Sequence, residues 1–143
     1  MKPEVDQILN LSAAQLMGSI APLLPPGYDV GSASLLGLMM MFSAQEYDRA
    51  ADIRAAENAD MRALFRDCAD AVRDEALKAK LAHVAATRDA SLRISALNAE
   101  NTELRRVLIA LQTYCEETGL ADVERRIWQV LKASAERRTL KLA

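Results

Sequence analysis

Leu97-Asn98-Ala99-Glu100-Asn101-Thr102-Glu103-Leu104-Arg105-Arg106-Val107-Leu108 is the centre of a run, Ile94, Leu97, Asn101, Leu104, Leu108, Leu111 and Cys115, whose steps alternate threes and fours without a slip. That spacing is a heptad seam, the pattern of an α-helix packed along its length against other helices. Asn101 takes an a-type place, Leu104 a d place, and Glu100 and Arg105 the flanking g and e places. Glu100 and Arg105 therefore border the seam on opposite sides, in the i to i+5 relation that crosses between parallel helices.

The same six-residue pattern occurs once before. Glu57-Asn58-Ala59-Asp60-Met61-Arg62 and Glu100-Asn101-Thr102-Glu103-Leu104-Arg105 both read Glu, Asn, any residue, acid, apolar, Arg. With about 100° per residue, Arg54, Asn58, Met61, Phe65 and Cys68 fall in one narrow sector, so Asn58 also interrupts an apolar stripe. A polar Asn in such a stripe fixes register, and flanking Glu and Arg select the partner helix. Glu57, Asn58, Arg62, Glu100, Asn101 and Arg105 are therefore the candidate helix-recognition residues, acting within the chain or across a dimer.

Between Leu38 and Thr118 there is neither Gly nor Pro. As one straight helix that run would extend roughly 120 Å at about 1.5 Å per residue, so a compact chain must fold it back. The break is expected near Asp70 to Glu75, where Asp74 can cap a new helix, with a second kink between Thr87 and Ser91. Gly119 has the place of a helix C-terminal stop. A last helix from Leu120 to Leu140 then carries Val123, Ile127, Val130, Leu131 and Ser134 on one face.

Toward the N-terminus the character changes. From Gln7 to Gln45 the only charged residue is Asp29, whereas charges crowd the rest of the chain. Pro3, with Glu4 and Asp6 behind it, suits a helix start, and Pro22 and Pro25-Pro26-Gly27 end that helix by about Ala21. Its inward positions are expected to be Val5, Ile8, Leu9, Leu16 and Ile20. The next segment, 30–45, contains Leu35-Leu36-Gly37-Leu38-Met39-Met40-Met41-Phe42, apolar on every side. Leu35, Leu36, Met39, Met40 and Phe42 are the candidate interface or pocket residues, because a helix apolar all round must be central or at a contact.

The expected fold is all-α, an antiparallel bundle of four to five helices with a long helical hairpin, formed as a single domain over 1–143. Charge-poor helices 3–21 and 30–45 lead into a charge-rich helical region 46–140. Composition agrees, since Ala, Leu, Met, Arg and Glu are strong helix formers, aromatic residues are 4% and no segment reads as a strand.

Composition also narrows function. A formal charge of −2 gives no general attraction for nucleic acid or anionic membrane. The segments Ile8 to Leu24 and Val30 to Ala44, at roughly 17 and 15 residues, are short against the about 20 that a membrane span needs, and Asn10, Gln15 and several Ser would lack partners in lipid. Acids near the N-terminus argue against a secretory signal. Cys68 and Cys115, far apart and on apolar stripes, read as buried thiols of a reducing cytoplasm. A single histidine, His83, excludes sites that need two imidazoles. No phosphate loop, nucleophile elbow or zinc spacing occurs, so no catalytic residue, metal ligand or cofactor is assigned.

The expectation is a noncatalytic cytoplasmic interaction or regulatory protein that forms a homodimer through helix packing, with a protein partner as a further occupant and neither nucleic acid nor membrane. Two alternatives come from other classes. One is a small-molecule-binding bundle with a Met-rich pocket. The other is a divalent-metal-dependent hydrolase using Glu57 and Glu100, which border the seam, whereas Asp60 and Glu103 turn about 130° away.

Overall fold

The computed structural model describes residues 3–141, and among them there are five α-helices and no strand. α1 spans Val5–Gln15, α2 Tyr28–Cys68, α3 Glu75–Ala85, α4 Ile94–Thr118 and α5 Ala121–Arg137. By their contacts the residues group into two compact units. One runs to Ala50 and includes the chain from Leu140, and the other is Ala51–Thr139. The division falls five residues beyond Gln45, where the charge-poor segment ends.

The second unit is a four-helix bundle made from the latter part of α2 with α3, α4 and α5. α2 ends where the sequence indicates. A 3₁₀ turn over Ala69–Ala71 follows, and Asp74 caps α3 by accepting a 2.7 Å hydrogen bond from the Leu77 amide. The second break is a loop from Ala86 to Arg93 rather than a kink. Gly119 closes α4 with φ +71°, in the left-handed region that favours glycine.

Contacts fix the helix directions. Arg66 and Arg62 of α2 reach Ala85 O and Thr87 Oγ1 at the far end of α3, so these two helices are antiparallel. α4 runs with α2, because Asn101 meets Asn58 at one end and Tyr114 meets the Arg73 amide at the other. α5 runs against both, with Arg126 on Asp67 and Arg138 on Glu57. Phe65, Leu81, Leu104, Leu111, Cys115 and Ile127 are buried at the centre of this bundle. Every seam residue from Leu97 to Cys115 is buried, while Ile94, in the first turn, is 38% exposed.

In the first unit α1 is followed by a π-helical turn, Leu16–Ile20, and a 3₁₀ turn, Ala21–Leu23. Pro22 accounts for both. Its ring would strike the Gly18 carbonyl of a regular α-helix and it has no amide to donate, so the preceding turn widens and the following one tightens. α1 packs on α2 through small residues. A Cβ on Gly37 would overlap the Met17 side chain, and Ala13 is buried. The buried face therefore centres on Ala13. Leu9 and Leu16 flank it half-buried, whereas Val5, Ile8 and Ile20, expected inside, are 42%, 46% and 44% exposed. The Gln45 side chain accepts from the Lys141 amide at 3.0 Å and donates to its carbonyl at 2.7 Å, holding Lys141 in this unit.

Candidate functional site

The two Glu-Asn motifs meet inside the second unit. Parallel α2 and α4 bring Asn58 and Asn101 face to face, and the Asn101 amide donates to Asn58 Oδ1 at 2.9 Å. Each motif's Glu is then within reach of the other motif's Arg. Arg105 Nη2 lies 3.5 Å from Glu57 Oε2, and Arg62 Nη2 lies 3.3 Å from Glu100 Oε2. The crossing from g to e places that the heptad frame implies is thus made within one chain.

The two asparagines are satisfied completely as donors. Asn58 gives its two amide hydrogens to Asp89 Oδ1 at 2.9 Å and to Leu97 O at 3.3 Å. Asn101 gives its own to Asn58 and to Glu57 Oε2, and its Oδ1 accepts from Arg105 Nε at 2.8 Å. Reversing the Asn101 amide would set an NH₂ group against the Arg105 Nε–H, so the arrangement specifies one orientation. A buried amide without such partners would cost about 1–3 kcal/mol.

The two ends of the clasp are electrically opposite. At one end a carboxylate is buried and its cations are at the edge: the Glu57 side chain is 1% exposed, Arg105 38% and Arg138 43%. Arg138 grips Glu57 as a fork, Nε on Oε1 at 2.6 Å and Nη2 on Oε2 at 2.5 Å, and Ser134 Oγ donates to Oε1 at 2.6 Å. At the other end a guanidinium is buried and its anions are at the edge. The Arg62 side chain is 8% exposed, donating to Thr87 Oγ1 at 3.0 Å, to Asp89 at 2.9 Å and to Glu100. The Thr87 hydroxyl in turn donates to Val84 O, which pins the loop between α3 and α4.

Burial alone would push the Glu57 carboxyl up. The hydrogen bonds from Arg138 and Ser134, with the charges of Arg138 and Arg105, outweigh it and hold the group down to about 2 from 4.5. Glu57 is therefore an ionised anchor near neutral pH, with both oxygens engaged. Asp60 instead pairs with Arg137 at 2.6 Å, and Glu103 pairs with Arg106 one turn along α4. Among the described residues no three His, Cys, Asp or Glu side chains are grouped to hold a metal ion. The crevice beside Glu57, lined also by Met61, Leu108 and Val130, offers about 10 Å³, room for one water at most.

No protein-family model, curated protein or solved structure matches this chain. The site therefore stands on its own geometry.

Ser134, Arg138, Thr87 and Asp89 belong to the clasp although only the motifs announce it. Ser134 lies on the expected inner face of α5, where a hydroxyl among Val and Ile is the one visible signal. Arg138 reads as an ordinary cation near a helix C-terminus. Thr87 and Asp89 lie in a loop, outside any periodic pattern.

The second candidate set lies in the first unit. Leu35, Leu36 and Met39 are 58%, 52% and 59% exposed, and Met40 and Phe42 are half-buried. The apolar segment of α2 is thus an outer surface as much as an inner one. Among the described residues no helix is long and apolar enough to cross a membrane.

Proposed function

We propose that the protein is a noncatalytic helical interaction protein of the cytoplasm that forms a homodimer through its N-terminal helices. One observation carries this reading. Along α2, Tyr28, Ser32, Leu35, Met39 and Phe42 follow alternate steps of four and three, forming a heptad stripe on the face opposite Gly37 and Ala44. Gly37 and Ala44 are buried, whereas Tyr28, Leu35 and Met39 are each more than half exposed. Val5, Ile8 and Leu11 of α1 and Leu23 after it are exposed as well, but α1 packs on the Gly37 face and so lies apart from this stripe.

Isolated exposed apolar residues are ordinary, but a heptad stripe of them along one helix marks a contact surface. Its occupant is argued from charge. With only Asp29 charged between Gln7 and Gln45, the surface offers no ion pair to a charged partner, whereas a second copy brings an equally neutral, apolar stripe. A two-fold pairing needs only that the stripe complement itself. The buried thiols suit a reducing compartment, where they need no pairing. The Asn clasp, turned inward, supports this reading by holding the second unit together without drawing on the outer stripe.

Light scattering over a dilution series tests the proposal, with wild type compared to the double variant Leu35→Glu and Met39→Glu. Wild type should weigh twice the chain mass and the variant once, with unchanged helical circular dichroism. A wild-type monomer at tens of micromolar, or a dimer that survives both substitutions, would end this reading.

A further inference from the structure

The C-terminal ends of α2 and α3 and the loop after α3 enclose an open groove of about 480 Å³. Arg66 lines it from α2, Thr87 and Arg88 line it from the loop, and its apolar lining is alanine, including Ala69, Ala82 and Ala86. No acidic residue lines it. We propose that this groove binds a small soluble phosphate monoester, its dianion held between the Arg66 and Arg88 guanidinium groups.

Charge carries the argument. Arg62, Arg105, Arg126, Arg137 and Arg138 of the same unit each hold a carboxylate. Arg66 and Arg88 hold none among the described residues. Arg66 donates Nη2 to Ala85 O at 3.3 Å, and Arg88 makes neither hydrogen bond nor ion pair there. The acids beside them in sequence are engaged elsewhere, Asp67 with Arg126, Asp70 with Lys78, and Asp89 with Arg62 and Asn58. The groove thus carries two positive charges and no counter-charge. A phosphate monoester, at about −1.5 to −2 near neutral pH, matches that better than a monocarboxylate.

Both cations rise from fixed positions. The bond to Ala85 O anchors Arg66 and leaves its Nε and Nη1 as donors. Arg88 lies between Thr87 and Asp89, and the buried Arg62 guanidinium holds both of these neighbours. Binding therefore orders side chains and not the loop, which lowers its entropic cost. The negative end of α3 is already quenched. The His83 carbonyl accepts from the Ala86 amide, Val84 from the Thr87 amide and hydroxyl, and Ala85 from Arg66. The short alanine side chains leave room for the organic part of the ester. All of these residues belong to Ala51–Thr139, so the site does not depend on self-association through the N-terminal helices.

The test is titration calorimetry of the full chain with glycerol 3-phosphate, against sodium chloride at matched ionic strength. Two variants accompany wild type. Arg88→Gln removes a charge that makes no contact in the fold, and Ala82→Leu fills the groove from an exposed helical position without changing charge. Wild type should bind one ester per chain saturably. Each variant should bind at least about tenfold more weakly, while Arg88→Gln melts at the wild-type temperature. No saturable heat for wild type, or undiminished binding in Arg88→Gln, overturns the proposal. So does weakening by Arg88→Gln alone, because an anion held only by diffuse surface charge would be indifferent to a filled groove.

Discussion

Asn101 follows Asn58 by 43 residues, and its side-chain amide donates to Asn58 Oδ1 at 2.9 Å between two helices that run the same way. The pairing ties together charges of both signs. Asn101 also serves Glu57 and Arg105, and Asn58 also serves Asp89. Asn101→Leu would strand Asn58 Oδ1 and the Arg105 Nε–H and take one of its donors from Glu57 Oε2. A loss of about 2–4 kcal/mol in urea unfolding is expected. Wild-type stability in that variant would show the amide pair to be dispensable.

The carboxylate gives the clasp a pH dependence of definite sign. Unfolded, Glu57 takes up its proton near 4.5, and folded only near 2. Between those values the unfolded chain binds more protons, so acid favours unfolding. The contribution is present above about pH 4.5 and lost as pH falls toward 2, on the order of 3 kcal/mol in all. Glu57→Gln should be less stable at pH 7 and should lose less on acidification. Parallel acid limbs for wild type and variant would contradict the assignment.

Both cysteines should be silent in the native protein. Burial pushes the Cys68 and Cys115 thiols up, with further upward pressure on Cys115 from Cys68, Glu124 and Glu116. Each is at most 1% exposed. Labelling by a thiol-disulfide reagent at pH 8 should therefore proceed only as fast as the bundle opens, and it should speed up in Asn101→Leu. Rapid labelling of unperturbed wild type is the contrary result.

In the first unit the close approach at Gly37 is the sensitive point. Gly37→Leu would drive a side chain into the space of Met17. Amide exchange across Leu9 to Ile20 should rise while that of α4 stays slow, because the α4 core belongs to the other unit. Unchanged protection of α1 would mean that it is held by something other than this contact.

The helices and their ends were legible because their causes are local. Heptad spacing marks α4, Asp74 caps α3, Gly119 ends α4, and Pro22 disturbs the end of the first helix. The repeated motif exposed half of the clasp, since Asn in an apolar stripe breaks a periodic pattern. The other half was hidden. Asp89 and Thr87 reach Arg62 from a loop, and Arg138 reaches Glu57 from 81 residues away. Pairings at that range depend on where whole helices dock. The burial of α1 was misplaced for a related reason, because a Gly-Ala contact creates a close packing face without large apolar residues.

The sequence distances within the clasp bear on the order of folding. Glu57 depends on groups that lie 44, 48, 77 and 81 residues further along the chain. Each helix can form from its own neighbours, but the carboxylate cannot leave water until α4 and α5 have both arrived. The clasp should therefore close after the rate-limiting barrier and be the first thing released on the way out. Ser134→Ala is expected to shift the unfolding limb of the chevron and leave the folding limb in place, making this buried charge a brake on escape rather than a guide to assembly.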